Sequence, residues 1–411
     1  MKTFRLYLML TITLLALSPF TIPSEAYQDK KQSKFDEAYQ QANKLYDEQK
    51  YKDAAEFYKK ASTSSGAKDE DKAAALYRLS CCYALLNDKT KAIDSLKQAV
   101  SKGFKDADQI SSEKAFDTIK EDETFKKILK GITPPPSAKA KTPTVKKIGA
   151  INKSPGGGAW DGAYELQTDH FTIHIDVPEE DGIKAAQNLE YLLDTMCKVL
   201  NMDKSKWTER KPCYLFKDIK KFQQVRNSVG GPGMAVHGWA DSSGKLYCYV
   251  NGRGYAGLYW TYLHEGCHLI LNVLLGDNTP KNSADYWVVE GIACYMGSLK
   301  NKGDGTFTFG KENHSMLKKT YENKKEQVAE MISWNEAKFY GKPDRGNYYV
   351  VGYGVCHYLF NVESGRYKNR FGEYIKTIYQ GGGSAGVFEK TIGISPKDIQ
   401  EKLKGYIKEL K

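Results

Sequence analysis

The spacing of apolar positions divides the chain into two parts with different expected secondary structure. Residues 34–130 contain no proline and place apolar side chains at helical intervals, which predicts helices throughout. From about residue 159 onward, stretches of alternating apolar and polar residues occur between longer amphipathic segments. The second part is therefore expected to mix strands with helices.

Within the first part, two stretches repeat one pattern of small, apolar and aromatic residues. The interval from Ala54 to Ala92 is 38 residues, close to the tetratricopeptide period of about 34 residues with a short insertion. This segment resembles tetratricopeptide repeats, and the resemblance implies an all-α helical repeat domain that binds protein partners. The matching positions are Ala38, Ala42, Leu45, Ala54, Tyr58 and Ala61, followed by Leu76, Ser80, Tyr83, Ala92, Leu96 and Ala99.

In the second part, the strands come first and helices dominate toward the C-terminus. This order favours an α+β domain. Helices are predicted over Glu179–Leu200 and Ile219–Val229. The predicted strands are His170–Val177, Cys213–Phe216 and the two arms of a hairpin, Ala235–Ala240 and Leu246–Val250.

Changes in composition set the expected domain boundaries. Residues 1–26 combine an early positive charge, a short apolar run and small residues before Ala26, which is typical of a cleavable secretory signal peptide. Residues 131–158 are rich in Pro, Ala, Lys and Gly and predict a linker. The expected order is a signal peptide at 1–26, helical repeats at 27–130, the linker at 131–158 and a second domain at 159–411, in a protein exported to the periplasm or the extracellular space.

Composition narrows the classes of partner. The net charge of +11 comes from lysines spread along the chain, so no nucleic-acid ligand is expected. Beyond the N-terminal run, no apolar segment is long enough to span a bilayer, so no stable membrane insertion is expected. The eight cysteines lie mostly in apolar runs, which favours buried free thiols, although a disulfide such as Cys197–Cys213 stays open as an alternative.

The clearest chemical motif is H-E-x-x-H at residues 264–268. His264 and His268 lie one turn apart on a helix, so both rings can reach a single ion, and Glu265 beside them can act as a general base. Glu290, 22 residues after His268 in the sequence WVVEGIA, would supply a third ligand from a second helix. Two histidines and one glutamate leave a tetrahedral position open to water, which is the pattern of a catalytic zinc site.

The combination of H-E-x-x-H with W-x-x-E-G-x-A resembles the gluzincin clan of zinc metallopeptidases, in particular its peptidase MA-like and aminopeptidase N-like branches. The resemblance covers roughly residues 165–380. It implies a zincin-like α+β fold, Zn²⁺ held by His264, His268 and Glu290, and Glu265 as the catalytic base. It further implies that a tyrosine on a later helix stabilises the oxyanion. Tyr349 matches that context, with Tyr348 and Tyr353 as alternatives.

The same resemblance implies an edge strand that pairs with the substrate backbone. The candidate residues are Ala235, Val236, His237 and Gly238. The chain departs from the family four residues after Glu290, where many relatives have an acidic or amide partner for a histidine ligand and this chain has Cys294. The sequence leaves the source of that partner open, with Asp285 as one candidate to replace it. The sequence also lacks the G-x-M-E-N exopeptidase motif, which favours an endopeptidase.

The expected function is that of a secreted zinc peptidase that hydrolyses peptide bonds, with the helical repeats recruiting a protein partner or substrate. Two alternatives stay open. One is a non-catalytic, metal-containing binding scaffold of the cell envelope. The other is a zinc amidase that acts on cell-wall peptides.

Overall fold

A computed structural model describes most of the chain. The described residues are 24–65, 67–105, 107–132, 142–233, 236–250, 257–276, 285–301, 307–309, 314–362, 365–384 and 386–410. Residues 1–23 of the predicted signal peptide lie outside them, as does Ala235 of the predicted substrate strand. The chain divides into two units, Met1–Thr133 and Pro134–Lys411.

Helices account for the regular structure described in the N-terminal unit, as predicted. Each of the first three helices packs against the next, and small residues such as Ala54, Ala61, Ala92 and Ala99 are fully buried there. Because alanine keeps the helix axes close, the predicted small positions explain the packing. The helices are α1 (Ser24–Asp47), α2 (Tyr51–Ser62), α3 (Asp69–Leu85), α4 (Lys89–Ser101), α5 (Ala107–Ser112) and α6 (Glu123–Ile132).

The C-terminal unit contains a sheet of six described strands in the order β1-β2-β3-β4-β6-β5. The strands β3, β4 and β6 run parallel, whereas β1–β2–β3 and β5–β6 pair antiparallel. A separate antiparallel pair, β7–β8, was not predicted. The strands are β1 (Lys146–Lys153), β2 (Ala159–Gln167), β3 (Phe171–Ile175), β4 (Lys211–Phe216), β5 (Gly238–Ala240), β6 (Leu246–Tyr249), β7 (Leu299–Asn301) and β8 (Phe307–Phe309).

Helices follow and surround this sheet, so the described chain mixes α and β structure. None of the described helices has both the length and the apolar composition that a bilayer span requires. The helices of this unit are α7 (Glu179–Leu200), α8 (Ile219–Ser228), α9 (Gly257–Leu275), α10 (Trp287–Gly297), α11 (His314–Lys324), α12 (Val328–Ile332), α13 (Glu336–Tyr340), α14 (Arg345–Asn361), α15 (Lys368–Tyr379), α16 (Val387–Ile392) and α17 (Pro396–Glu409).

The first strand of the sheet corrects the predicted linker. Residues 146–153, assigned to the linker over 131–158, form β1 and pair with β2. The glycine-rich end of that segment is the turn of this hairpin, where Gly156 and Gly157 have φ of +83° and +89°. Composition missed the strand because β1 lies at the sheet edge with mostly exposed side chains, so that backbone hydrogen bonds rather than an apolar face hold it.

All eight cysteines lie in the described part of the chain, and all are free. Seven are buried, and Cys197 is half-buried. The expectation of buried thiols is confirmed for most of them, and the alternative Cys197–Cys213 disulfide is absent.

Two glycines let α10 and α14 cross at short range. A Cβ on Gly291 would lie 3.0 Å from the backbone of Gly352, and a Cβ on Gly352 would lie 3.1 Å from the Cα of Gly291. Every residue of α10 is buried, including Glu290 beside this crossing. The crossing therefore determines how α10 is seated in the core.

Replacing Gly291 with alanine is expected to destabilise the C-terminal unit by about 1–3 kcal/mol, because the added methyl group meets backbone that has no room to shift. All six tryptophans lie between residues 160 and 334, so urea unfolding followed by tryptophan fluorescence reports on this unit.

The matched control is Gly405→Ala in α17, where an added Cβ meets no atom within 4 Å. That variant should be neutral or stabilised by up to about 1 kcal/mol, since alanine favours the helix. A Gly291→Ala protein as stable as wild type would contradict the close crossing.

Candidate metal centre

The helix α9 carries the H-E-x-x-H motif through the middle of the core. It packs against α7, α10 and the strands β5 and β6. Gly266 permits the contact with α7, because a Cβ there would lie 3.0 Å from Leu189 and 3.3 Å from Leu192. Glycine is less favourable than alanine inside a helix by about 1 kcal/mol. At Gly266 this loss is accompanied by close packing of the motif helix against α7.

The helix α10 approaches α9 closely at the first histidine. A Cβ on Gly297 would lie 3.2 Å from the backbone nitrogen of His264. Glu290, seven residues earlier, lies on the same face of α10 two turns away. This approach directs the Glu290 carboxylate toward the two histidines of α9.

Three donor atoms converge between these helices. His264 Nε2 lies 3.3 Å from His268 Nε2. Glu290 Oε2 lies 3.2 Å from His264 Nε2 and 3.6 Å from His268 Nε2. Ligands about 2.0–2.1 Å from a tetrahedral zinc ion lie about 3.3 Å from one another. The three predicted metal ligands are therefore brought together with spacings that fit one zinc ion, and they form a group that could hold a metal.

Burial makes this cluster depend on charge compensation. His264 and Glu290 are 5% and 4% exposed. Burial alone would raise the pKa of Glu290, but hydrogen bonding and the charges of His264 and His268 hold that pKa well below its usual range. Burial lowers the pKa of His268, and the contact with Glu290 outweighs it and raises that pKa. An ionised carboxylate facing two imidazole nitrogens is the donor chemistry that a divalent cation needs.

A cysteine, rather than the expected aspartate, contacts the outer nitrogen of the first histidine. Cys294 Sγ lies 3.7 Å from His264 Nδ1. Asp285 instead accepts a hydrogen bond of 2.8 Å from the Tyr374 hydroxyl, so its predicted role beside a histidine ligand is wrong. The reason is helical geometry: residues 290 and 294 lie one turn apart on the face toward α9, whereas Asp285 precedes α10.

The predicted base lies against the edge strand and outside the donor cluster. Glu265 is half-buried, and a Cβ on Gly238 of β5 would lie 2.7 Å from its Cγ. Burial raises the pKa of Glu265, while the charges of His264 and His268 lower it. A carboxylate placed beside the ligands, with β5 against its stem, is suited to proton transfer rather than to binding the ion.

Of the three tyrosines considered for the oxyanion, Tyr349 lies nearest to the ligands. Its ring centroid is 6.1 Å from that of His264. The hydroxyl of Tyr348 donates to Gln327, and that of Tyr353 hydrogen-bonds Ser298. The structure therefore brings Tyr349 to the candidate centre and directs the hydroxyls of the two alternatives elsewhere.

Sequence reasoning missed two further tyrosines at the centre. The Tyr340 hydroxyl donates to Glu290 Oε1 at 2.5 Å, and the Tyr286 hydroxyl donates to Tyr340 at 3.2 Å. Tyr340 lies 50 residues after Glu290 in a short helix without a recognisable motif. No spacing in the sequence links it to the ligands, so only the fold could reveal the contact.

The predicted substrate strand is described in part. Gly238 begins β5, which ends the sheet order, and Val236 and the exposed His237 precede it. The His237 carbonyl accepts from the Tyr249 backbone at 2.7 Å, so the pairing with β6 extends one residue beyond β5. Ala235 lies outside the described residues.

Comparison with known proteins assigns the chain to no family. The chain matches no protein-family model, and no curated protein matches its sequence.

Asp285, just before α10, is expected to make the stability of the folded chain depend on pH. Asp285 is 3% exposed, and among the described residues its Oδ2 has no hydrogen-bond partner. Burial raises the pKa of Asp285 from 3.8 to about 6. The folded chain therefore binds this proton more tightly than the unfolded chain, and the stability so gained is present below about pH 4 and lost as pH rises through about 6.

Asp285→Asn should consequently be more stable than wild type at pH 8, by roughly 2 kcal/mol, with the difference shrinking toward pH 4. Asparagine also tolerates the φ of +77° at this position. Urea unfolding at pH 4, 6 and 8 measures the difference, with the exposed Asp161→Asn as control. An equal effect of Asp285→Asn at every pH would refute the titration.

Proposed function

We propose that this chain is a secreted, zinc-dependent peptidase of the gluzincin type. The observation that carries the proposal is the convergence of His264, His268 and Glu290, whose donor atoms all lie within 4.8 Å of one another. Glu265 lies beside them in the motif position of a general base. Two histidines and a carboxylate are the ligand set of catalytic zinc sites rather than of closed structural ones.

The packing around the motif supports a zincin-like reading of the C-terminal unit. The motif helix α9 packs against the edge hairpin β5–β6 on one side and against α10 with the third ligand on another. The first four N-terminal helices, packed in succession with small residues buried between them, support the reading of that unit as tetratricopeptide-like. We infer that it recruits a protein partner or substrate.

The chemistry follows from the groups around the ligands. Zinc, when bound by His264, His268 and Glu290, supplies a Lewis acid that activates water at neutral pH and polarises a carbonyl. Glu265 accepts the proton of the attacking water and afterwards delivers it to the leaving nitrogen. Burial raises the pKa of Glu265, and this brings the carboxylate closer to the range in which it can both accept and return a proton.

Tyr349 is the group proposed for the oxyanion. Burial keeps the pKa of its hydroxyl far above its usual range, so that the hydroxyl stays protonated. This hydroxyl hydrogen-bonds Tyr340 in the structure, and we infer that it turns from Tyr340 to the oxyanion when substrate is bound. A donor held near the developing negative charge stabilises the transition state more than the ground state. An extended substrate would pair with the outer edge of β5 through its backbone.

The presence of Glu265 beside the three candidate ligands favours an enzyme over a binding scaffold. A scaffold needs the three ligands and has no use for Glu265 at this position. The proposal therefore takes a peptidase as the function and treats a metal-containing scaffold or a cell-wall amidase as outcomes of the tests.

The first test is metal content. Purified full-length protein should contain one zinc ion per chain, and His264→Ala and Glu290→Ala should each lose it, because two ligands bind zinc far more weakly than three. Elemental analysis measures the ratio, and His174→Ala, whose ring pairs with Glu165, is the control that should retain zinc. A folded wild type that refuses added zinc would overturn the proposal.

The second test separates catalysis from metal binding. Glu265→Gln should retain zinc and lose hydrolysis of a peptide library by about 100-fold or more, because the proton acceptor is gone. Mass spectrometry of the library measures the cleavage. If the wild-type protein binds zinc but cleaves no peptide, a metal-containing binding scaffold is favoured. If it cleaves only cell-wall peptides, a cell-wall amidase is favoured.

A third test moves the base without removing it. In Gly238→Ala the new methyl group would lie 2.7 Å from Glu265 Cγ and 2.8 Å from Cys248 Sγ. We expect kcat to fall by roughly 100-fold at unchanged zinc content, because a displacement of about 1 Å suffices for such a loss. Gly149→Ala in β1, which meets no atom within 4 Å, is the matched control. Unchanged kcat in Gly238→Ala would exclude contact between β5 and the working base.

A further inference from the structure

The two carboxylate oxygens of Glu290 have different partners. Oε2 faces His264 and His268 at 3.2 Å and 3.6 Å. Oε1 accepts the hydroxyl proton of Tyr340 at 2.5 Å. A short hydrogen bond from a hydroxyl to an ionised carboxylate is among the stronger ones in proteins. One oxygen is thus directed to the candidate metal position, and the other is engaged by a protein donor.

The Tyr340 hydroxyl is itself held in place by two other tyrosines. Tyr286, just before α10, donates to it at 3.2 Å, and Tyr349 of α14 also hydrogen-bonds it. The single proton of Tyr340 goes to Glu290, so its oxygen accepts from these two neighbours. The rings of Tyr286 and Tyr340 pack edge to face at 5.5 Å. Residues from α13, α14 and the start of α10 therefore fix one donor against one ligand.

We propose that Tyr340 is a positioning residue that keeps Glu290 a one-oxygen ligand. This inference rests on the proposed metal site. Tyr340 occupies Oε1, so Glu290 binds the ion through Oε2 alone, and the fourth coordination position stays open for the reaction. Tyr340 acts through Glu290 and does not touch the ion.

The physical reason is competition for one oxygen. A carboxylate binds a divalent ion through one oxygen or through both, and a buried oxygen without a donor gains by turning to the ion. Without the Tyr340 hydroxyl, Oε1 would leave a desolvated acceptor beside a cation. Two-oxygen binding would then raise the coordination number and fill the position that catalysis needs. Outer groups of this kind typically change metal affinity by about 10- to 100-fold.

Cobalt(II) titration of zinc-depleted full-length protein tests the inference. Four-coordinate Co²⁺ absorbs visible light much more strongly than five- or six-coordinate Co²⁺, so the spectrum reports coordination number without any measure of activity. Wild type should show the strong four-coordinate bands. Tyr340→Phe should show weaker absorption per bound ion and a Kd changed by about 10- to 100-fold. Tyr286→Phe, which removes only a donor to Tyr340, should shift the spectrum in the same direction by less.

The matched control is Tyr321→Phe. It makes the same chemical change in the same unit, where the lost hydroxyl donates to the Gln400 carbonyl at 3.1 Å. Its spectrum and Kd should equal those of wild type. If Tyr340→Phe does not fold, Tyr286→Phe carries the comparison.

Two outcomes would overturn the inference, and they are distinguishable. If both Tyr340→Phe and Tyr286→Phe give the spectrum and Kd of wild type, Tyr340 does not position Glu290, and the proposed metal site is unaffected. No Co²⁺ or Zn²⁺ binding by wild type would remove the metal site and this inference together.

Discussion

The close approach of α9 and α10 is the constraint on which the rest of the candidate centre depends. Gly297 brings the end of α10 against the backbone of His264, and Glu290 then faces two imidazoles from a depth where it is 4% exposed. A carboxylate at that depth is unfavourable unless charges and donors compensate it. The histidines on one side and Tyr340 on the other supply that compensation. The same arrangement that makes Glu290 tolerable in the core makes it a candidate ligand.

Glycine does much of the positioning in this unit. Gly266 seats the motif helix on α7, Gly291 seats α10 on α14, and Gly238 makes room for the stem of Glu265. At each position a methyl group would meet atoms at 3.0 Å or less. Glycines, which have no side-chain chemistry of their own, thus position the side chains of the candidate centre. The polar groups of the centre consequently lie in close-packed surroundings, where small displacements are costly.

Much of the fold could be predicted where periodicity or turn chemistry was strong. The bounds of α7, the strand β4 and the pairing of β5 with β6 follow from alternation and helical spacing. Prediction failed at β1, because the side chains of this edge strand are mostly exposed and show no alternation of apolar and polar residues that would indicate a strand. It also failed at Cys294 and Tyr340, since their roles arise from contacts between elements that no local pattern connects.

The sequence by itself determined which residues could bind a metal: the spacing of His264 and His268 places both on one helical face, and the helical context of Glu290 offers a third donor. Only the tertiary structure decided that the three donors meet, that Cys294 rather than Asp285 lies at the outer nitrogen of His264, and that one oxygen of Glu290 is already engaged. The physical reason is range. Local spacing is set by backbone geometry within a turn or two, whereas contacts across 26 to 50 residues depend on how whole helices pack.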